Sequence, residues 1–145
     1  MEKRINIQEL EPKAYEAMFA MEKYLSTSSV DRSIQELIKI RASQINGCAY
    51  CIDLHTQEAL GRGEDQRRIF ALSAWKESAL FTAQEKAVLQ MTEEISFISR
   101  NGLTSETYDR VKEFFTDNEI AQIIMQIGTI NMWNRIAVST QLVQE

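Results

Sequence analysis

The sequence predicts an all-α fold, a single-domain bundle of about six to seven helices that takes in residues 1–145. Apolar residues recur at spacings of three and four along most of the chain, which is the pattern of helices with one buried face. A single proline and five glycines leave few places where a helix has to end. Runs that alternate apolar and polar residues between turn signals, as strands do, are nearly absent.

Four helices are predicted in the first half of the chain. The first helix begins after Pro12, and the Asn46-Gly47 pair ends the second. Cys48 then opens the third helix, which closes at the glycines of residues 61–63. We predict these four helices at about residues 13–25, 31–46, 48–61 and 65–78.

Three more helices are predicted in the second half. Two of them begin with a capping box, in which a threonine is followed three residues later by a glutamate: Thr82 with Glu85, and Thr116 with Glu119. We predict these three helices at residues 82–100, 105–115 and 118–141. The last is apolar on more than one face, so it is either central to its own domain or covered by another subunit. We expect a homo-oligomer.

Composition narrows the class of protein. The net charge of −5 and the pI of about 5.0 argue against nucleic acid as a partner, because phosphate binding needs a basic surface. No apolar run approaches the roughly 18 residues of a membrane span, so we expect no membrane partner. The first residues, MEKRINIQELEPK, are too polar for a secretory signal. We therefore expect a cytoplasmic protein. In the cytoplasm thiols are kept reduced, so two close cysteines are more often redox-active or metal-binding than joined in a structural disulfide.

The chemistry is concentrated in Cys48, Cys51 and His55. Positions i, i+3 and i+7 lie on one face of a helix, so two sulfurs and an imidazole share a stripe. A free cysteine, with a pKa of about 8.5, is mostly thiol at neutral pH, but the first turn of a helix favours the thiolate nucleophile. His55 can take the proton of Cys51, and Cys48 can close a disulfide once Cys51 is oxidised.

Other sites for two cysteines and a histidine are weaker. A zinc site needs about four ligands, so Glu36 or Asp53 would have to complete it. Covalent haem attachment needs the histidine directly after the second cysteine, where Ile52 stands, and iron–sulfur clusters usually take four cysteines. Two buried cysteines acting as small apolar residues are the remaining alternative. We expect no metal and no organic cofactor, since the cysteine pair itself can hold two electrons.

Other polar positions allow two interpretations. Glu36 can cap its own helix in a box with Ser33, or it can fold back across the Asn-Gly break toward the cysteines. Tyr50 lines a pocket or packs. The polar groups of the last helix line a pocket or bond helix to helix; they belong to Asn131, Trp133, Asn134 and Arg135.

The segment resembles a known active-site signature. Glu36, eleven further residues and then C-x2-C-x3-H are similar to the signature of the alkylhydroperoxidase D family, within the carboxymuconolactone decarboxylase-like superfamily. KIRASQINGCAYCIDLHTQEAL resembles the core motif of that family, and Asn131, Asn134 and Arg135 repeat its Asn-x2-Asn-Arg form. The similarity covers roughly residues 14–138.

The resemblance implies an all-α trimer or hexamer that reduces a hydroperoxide with electrons from an external dithiol or redox protein. By that resemblance Cys51 attacks the peroxide and passes through a sulfenic acid, while Cys48 donates a proton and resolves it. His55 and Glu36 form the proton relay.

One position departs from the peroxidase branch, which often carries a second histidine where this chain has Tyr50. The decarboxylase branch lacks the cysteine pair, so decarboxylation is the weaker reading. Two alternatives stay open. One is a small-acid enzyme that uses His55, Glu36 and Arg135 without redox change, and the other is a non-catalytic redox sensor.

Overall fold

The computed structural model describes residues 2–144, which form nine α-helices and no strand, so the all-α prediction is confirmed. One turn of 3₁₀ helix, Leu72–Ala74, follows the fifth α-helix. The α-helices are α1 (Ile7–Leu10), α2 (Pro12–Leu25), α3 (Arg32–Ile45), α4 (Ala49–Gly61), α5 (Gln66–Ala71), α6 (Ala83–Ser96), α7 (Ile98–Asn101), α8 (Ser105–Lys112) and α9 (Asp117–Thr140).

The seven predicted helices are present in order, and two helices of four residues each were not predicted. The first of these, α1, lies in the polar start of the chain. The second, α7, arises because the helix predicted to reach residue 100 ends early: Phe97 leaves helical geometry at φ −100° and ψ 38°. Gly102, at φ 64°, then ends α7. The predicted helix 65–78 is also shorter, since α5 gives way to the 3₁₀ turn.

Both predicted capping boxes are confirmed, at Thr82 with Glu85 and at Thr116 with Glu119. Glu85 has a second partner, because its carboxylate accepts two hydrogen bonds from Arg68, at 2.6 and 3.1 Å. Burial alone would raise the pKa of Glu85, but the bonds from Arg68 and from the Thr82 backbone outweigh it and lower the pKa. One residue thus starts α6 and ties it to α5.

Helices α3 and α9 form the centre of the fold. The main core lies where they meet α6 and α8, and Ile38, Met91, Val111 and Ile127 are fully buried there. Burying each such side chain is worth about 1.5–3 kcal/mol. Because α4 also packs on α3 and α9, the cysteine-bearing segment rests on the two central helices.

The last helix, α9, is central to its own chain, which accounts for much of its apolar character. It packs against α2, α3, α4, α6 and α8. Four of its apolar side chains are nevertheless exposed: Ile124, Met125, Met132 and Val138. None of the described helices combines the length and apolar character of a membrane span.

Candidate active site

A tight turn between α3 and α4 sets the position of the cysteine pair. Gly47 adopts a left-handed backbone with φ 63°, a geometry that glycine adopts without strain. The Cys48 N–H then donates to the Ser43 carbonyl at 3.0 Å, and the Gly47 N–H to Gln44 at 3.2 Å. These two bonds close the end of α3 in the manner of a Schellman motif, so the chain reverses within two residues. Cys48 therefore both ends one helix and caps the next.

Cys48 and Cys51 are joined by a disulfide, with their Cα atoms 5.3 Å apart. The Cys48 Sγ accepts a hydrogen bond from the Cys51 backbone N–H at 3.2 Å, which is the N-cap contact of α4. Both residues are buried, 2% and 3% exposed, and they pack against Ala137 and Leu142. The prediction that the two sulfurs meet at the start of the third predicted helix is confirmed.

A cavity of about 490 Å³ opens beside the cysteine pair. Cys51 and His55 both line it, whereas Cys48 is not among its lining residues. Cys51 is thus the sulfur that a molecule in the cavity can reach, and Cys48 lies behind it. The alternative of two cysteines sealed in an apolar core does not fit this arrangement.

One wall of the cavity is aromatic. Tyr15 and Phe19 of α2 lie against Trp133 of α9, with ring centroids 5.5 and 6.1 Å from that of Trp133. The indole Nε1–H of Trp133 donates to Glu22 at 3.0 Å, which fixes the ring. Burial, helped by neighbouring Tyr50, raises the pKa of Tyr15, so that phenol stays neutral. Tyr50 itself also lines the cavity, as one of its two predicted interpretations required.

His55 lies beside two carboxylates. Its Nδ1 is 3.0 Å from Glu58 Oε2. One ring nitrogen of His55, one oxygen of Glu36 and one oxygen of Glu58 all lie within 4.8 Å of one another. Glu36 has therefore folded back across the Asn-Gly break, as one interpretation predicted. The competing interpretation, a capping box with Ser33, is wrong, because Asp31 caps α3 and accepts from the Ser33 N–H at 3.1 Å. A charged aspartate suits that first turn, where the helix dipole is positive.

The hydrogen bonds of Glu36 go to cations rather than to the ring. Arg62 Nη1 donates to Glu36 Oε1 at 2.7 Å, and Lys39 Nζ lies 3.6 Å from the same oxygen. The Glu36 side chain is 3% exposed, and its Oε2 has no hydrogen-bond partner within residues 2–144. A buried carboxylate with one free oxygen near an imidazole can accept a proton.

The charges and the oxidised sulfurs of the site make metal binding unfavourable in this structure. Glu36, His55 and Glu58 are close enough to hold an ion, but Arg62 and Lys39 already balance the charge of Glu36. Bonded to each other, the sulfurs offer no thiolate to zinc in this oxidation state. The other predicted carboxylate ligand, Asp53, accepts instead from Gln57 at 3.0 Å and is not among the cavity-lining residues.

Residues 12–94, which contain most of this site, match a known protein family. The sequence pattern of the Carboxymuconolactone decarboxylase family matches residues 12–94, more than half of the chain, and this stretch includes Glu36, both cysteines and His55. The chain belongs to the carboxymuconolactone decarboxylase family. It is also similar to the uncharacterized protein YdfG of Bacillus subtilis, at 41% identity over 139 residues, 96% of this chain and 95% of that one.

Solved structures place the protein on the alkylhydroperoxidase D-like side of the carboxymuconolactone decarboxylase family. A protein of unknown function from Agrobacterium tumefaciens, described as a candidate antioxidant defence protein AhpD, has a TM-score of 0.96 and 37% identity, with 99% of each chain covered. The debrominase Bmp8 has a TM-score of 0.82 at 18% identity, covering 95% of this chain and 74% of that one. At that identity the likeness concerns the fold alone.

The two asparagines of the Asn-x2-Asn-Arg motif bind α9 to α3 and to the turn after it, whereas the arginine bonds within α9. Asn134 Nδ2 donates to Ser43 Oγ at 2.9 Å, and Asn46 Nδ2 donates to the side-chain oxygens of Asn131 and Asn134, both at 2.9 Å. Arg135 donates to the Asn131 carbonyl at 3.0 Å. Asn131, Asn134 and Arg135 are not among the cavity-lining residues, so the pocket interpretation is wrong for these three. It is right only for Trp133.

Three charged residues around Glu36 and His55 were missed, besides the aromatic residues of α2. Glu58 stands three residues after His55, and helical spacing alone could have found it. Lys39 stands three residues after Glu36 and lines the cavity from a buried position. Arg62 lies 26 positions from Glu36, and no local pattern announces that pair.

Proposed function

We propose that this protein is a thiol peroxidase that reduces hydroperoxides through its cysteine pair and takes electrons from an external dithiol or redox protein. The observation that carries the proposal is the disulfide between Cys48 and Cys51 at the edge of a cavity that Cys51 shares with His55. Proximity of this kind lets one sulfur react with a substrate and the other close the bond. The family and its candidate antioxidant relative support the same chemistry.

The reaction balances in three steps. The Cys51 thiolate attacks the terminal oxygen of the hydroperoxide and becomes a sulfenic acid. The O–O bond breaks, and the departing alkoxide takes one proton and leaves as an alcohol. Cys48 then attacks the sulfenic sulfur, forms the disulfide and releases water. Finally an external dithiol reduces the disulfide by thiol–disulfide exchange and is itself oxidised. Two electrons pass from the dithiol to the peroxide.

The site residues divide the work of this cycle. Cys51 is the nucleophile, because it is the sulfur at the cavity, and it lies in the first turn of α4, where the helix dipole favours an anion. His55, one turn later, accepts its proton and returns it to the alcohol. Glu36 serves as the buried acceptor behind His55 and completes the relay.

The substrate is an organic hydroperoxide with an apolar body. A cavity of about 490 Å³ is far larger than hydrogen peroxide needs, since a water-sized molecule occupies about 30 Å³. Its aromatic wall gives such a body apolar surface to bury against.

The protein acts as a homo-oligomer in the cytoplasm. The exposed apolar residues of α9 offer a surface that a second copy of this chain can cover: Ile124, Met125, Met132 and Val138. A trimer or a hexamer is expected, and light scattering coupled to size exclusion measures the mass directly. A monomer at micromolar concentration contradicts this part of the proposal.

The test is peroxide consumption by the reduced protein with dithiothreitol as the reductant. We expect turnover of cumene hydroperoxide by the wild type and none by Cys51→Ser. Cys48→Ser should form one sulfenic acid per chain, trapped by dimedone, and then stall. Asp53→Ala, on the same helix but not lining the cavity, is the control and should retain wild-type turnover.

Three outcomes overturn the proposal. Full activity in Cys51→Ser shows that the nucleophile is wrong, and activity on a small acid that survives loss of both cysteines favours the non-redox enzyme. Negligible turnover together with oxidation-dependent assembly favours the redox sensor.

A further inference from the structure

We propose that Glu58 is a positioning residue that fixes the tautomer of His55, so that the second ring nitrogen is the base of the thiol reaction. This inference rests on the proposed function and deepens it. It assigns the hydrogen-bonding partner of the imidazole to Glu58, whereas the resemblance pointed to Glu36.

The His55–Glu58 contact determines where the proton of a neutral ring resides. His55 Nδ1 and Glu58 Oε2 are 3.0 Å apart. An ionised carboxylate can only accept, so the bond requires a proton on Nδ1. The neutral ring then has its lone pair on Nε2, and Nε2 is the nitrogen able to receive a proton from a thiol.

Glu36 is poorly placed for the same task. Its Oε1 is engaged by Arg62 at 2.7 Å and by Lys39 at 3.6 Å. These two cations hold its charge, and the bond that orients the ring at Nδ1 comes from Glu58. Glu36 remains within 4.8 Å as an acceptor in the relay, but orientation and relay fall to different carboxylates.

The pair differs from an ordinary surface ion pair in where it lies. The His55 side chain is only 13% exposed, and both members line the cavity that holds Cys51. The Glu58 side chain is 40% exposed, so its carboxylate is in contact with water. As Cys51 gives up its proton to Nε2, the ring becomes positive, and the neighbouring carboxylate stabilises that charge.

The chain contains a single histidine, which makes the tautomer directly observable. Nitrogen-15 NMR of protein labelled at histidine reports Nδ1 and Nε2 as two separate signals, recorded at a pH at which the ring is neutral. We expect the wild type to carry its proton on Nδ1. Glu58→Ala should shift both signals toward a mixed population, and Glu58→Gln should keep the wild-type pattern, because the glutamine oxygen can still accept.

Activity supplies the second readout. Removing a general base lowers rates by about 10²- to 10⁴-fold, so we expect His55→Gln to fall in that range. Glu58→Ala should lose roughly 10- to 100-fold in kcat with little change in KM, because fewer rings stay in the productive tautomer and the positive ring also loses its neighbouring carboxylate. Glu58→Gln should recover part of that loss. The control is Asp53→Ala, which removes a carboxylate that accepts from Gln57 on the same helix and should change neither readout.

The outcomes separate the two proposals. If Glu58→Ala keeps both the wild-type spectrum and the wild-type kcat, Glu58 does not position His55, while the cysteine chemistry stands on its own variants. The spectrum does not depend on turnover. A wild type without peroxidase activity overturns the proposed function, but an Nδ1–H tautomer that is lost in Glu58→Ala still supports the positioning of the ring.

Discussion

Asn134→Ala tests whether α9 holds the turn that presents the cysteines. Asn134 is 1% exposed, donates to Ser43 Oγ at 2.9 Å and accepts from Asn46 Nδ2 at 2.9 Å. Ser43 lies in the last turns of α3, and Asn46 immediately precedes Gly47. Truncation to alanine removes both hydrogen bonds and leaves the backbone of α9 unchanged.

The expected loss follows from these two bonds. A hydrogen bond of this kind contributes about 0.5–1.5 kcal/mol, so two contribute about 1–3 kcal/mol. The partners are not orphaned, because Ser43 Oγ still donates to the Lys39 carbonyl at 2.7 Å and Asn46 still donates to Asn131. Alanine also has the higher helix propensity, by up to about 0.7 kcal/mol. Subtracting this gain, we expect a net loss of about 0.3–2.3 kcal/mol.

Urea unfolding followed by circular dichroism measures this loss as a lower midpoint at an unchanged m value. The matched control is Asn118→Ala, which removes the same side chain from an exposed position in the first turn of α9. The control should stay within about 0.5 kcal/mol of the wild type. If Asn134→Ala loses no more than Asn118→Ala, the network does not hold the turn and the reasoning is refuted.

Three further predictions concern the turn, the acid limb of stability and the disulfide. Gly47→Ala should lower the free energy of unfolding by about 1–2 kcal/mol through backbone strain alone, since nothing lies within 4 Å of an added Cβ. Gly47→Asn should recover part of this loss. If the alanine variant is as stable as the wild type, position 47 does not need a left-handed backbone. Burial alone would raise the pKa of Glu93, but hydrogen bonds from Trp75 and Arg41 outweigh burial and lower the pKa from 4.5. The lowered pKa stabilises the folded protein above pH 4.5, and this stabilisation is lost as the pH falls through the pKa of Glu93 in the folded state. The melting temperature of Glu93→Gln should therefore fall less steeply from pH 5 to pH 3 than that of the wild type, and parallel curves refute this. Reducing the disulfide, which closes a short loop, should lower stability by only about 2 kcal/mol and leave far-UV circular dichroism unchanged; unfolding on reduction indicates a structural staple instead.

Interactions between residues close together in the sequence allowed many of the helix boundaries to be predicted. Capping boxes at Thr82 and Thr116 bond within four residues of the chain, so their helix starts could be predicted without knowing what packs around them. The same holds for Gly47, whose left-handed backbone breaks α3 from α4. Prediction failed where two local signals competed. Asp31 and Ser33 could each cap α3, and the charged residue did so.

The sequence by itself determined the stripe of Cys48, Cys51 and His55, because helical geometry fixes which side chains share a face over seven residues. Only the tertiary structure decided what surrounds that stripe. The aromatic wall joins α2 to α9, and Glu36 meets Arg62 across 26 positions. Such contacts depend on how helices pack, to within an ångström or two, and apolar spacing records only that a face is buried and not which partner covers it. For that reason a nucleophile and a base could be proposed from the sequence, whereas the cavity could be located only in the fold.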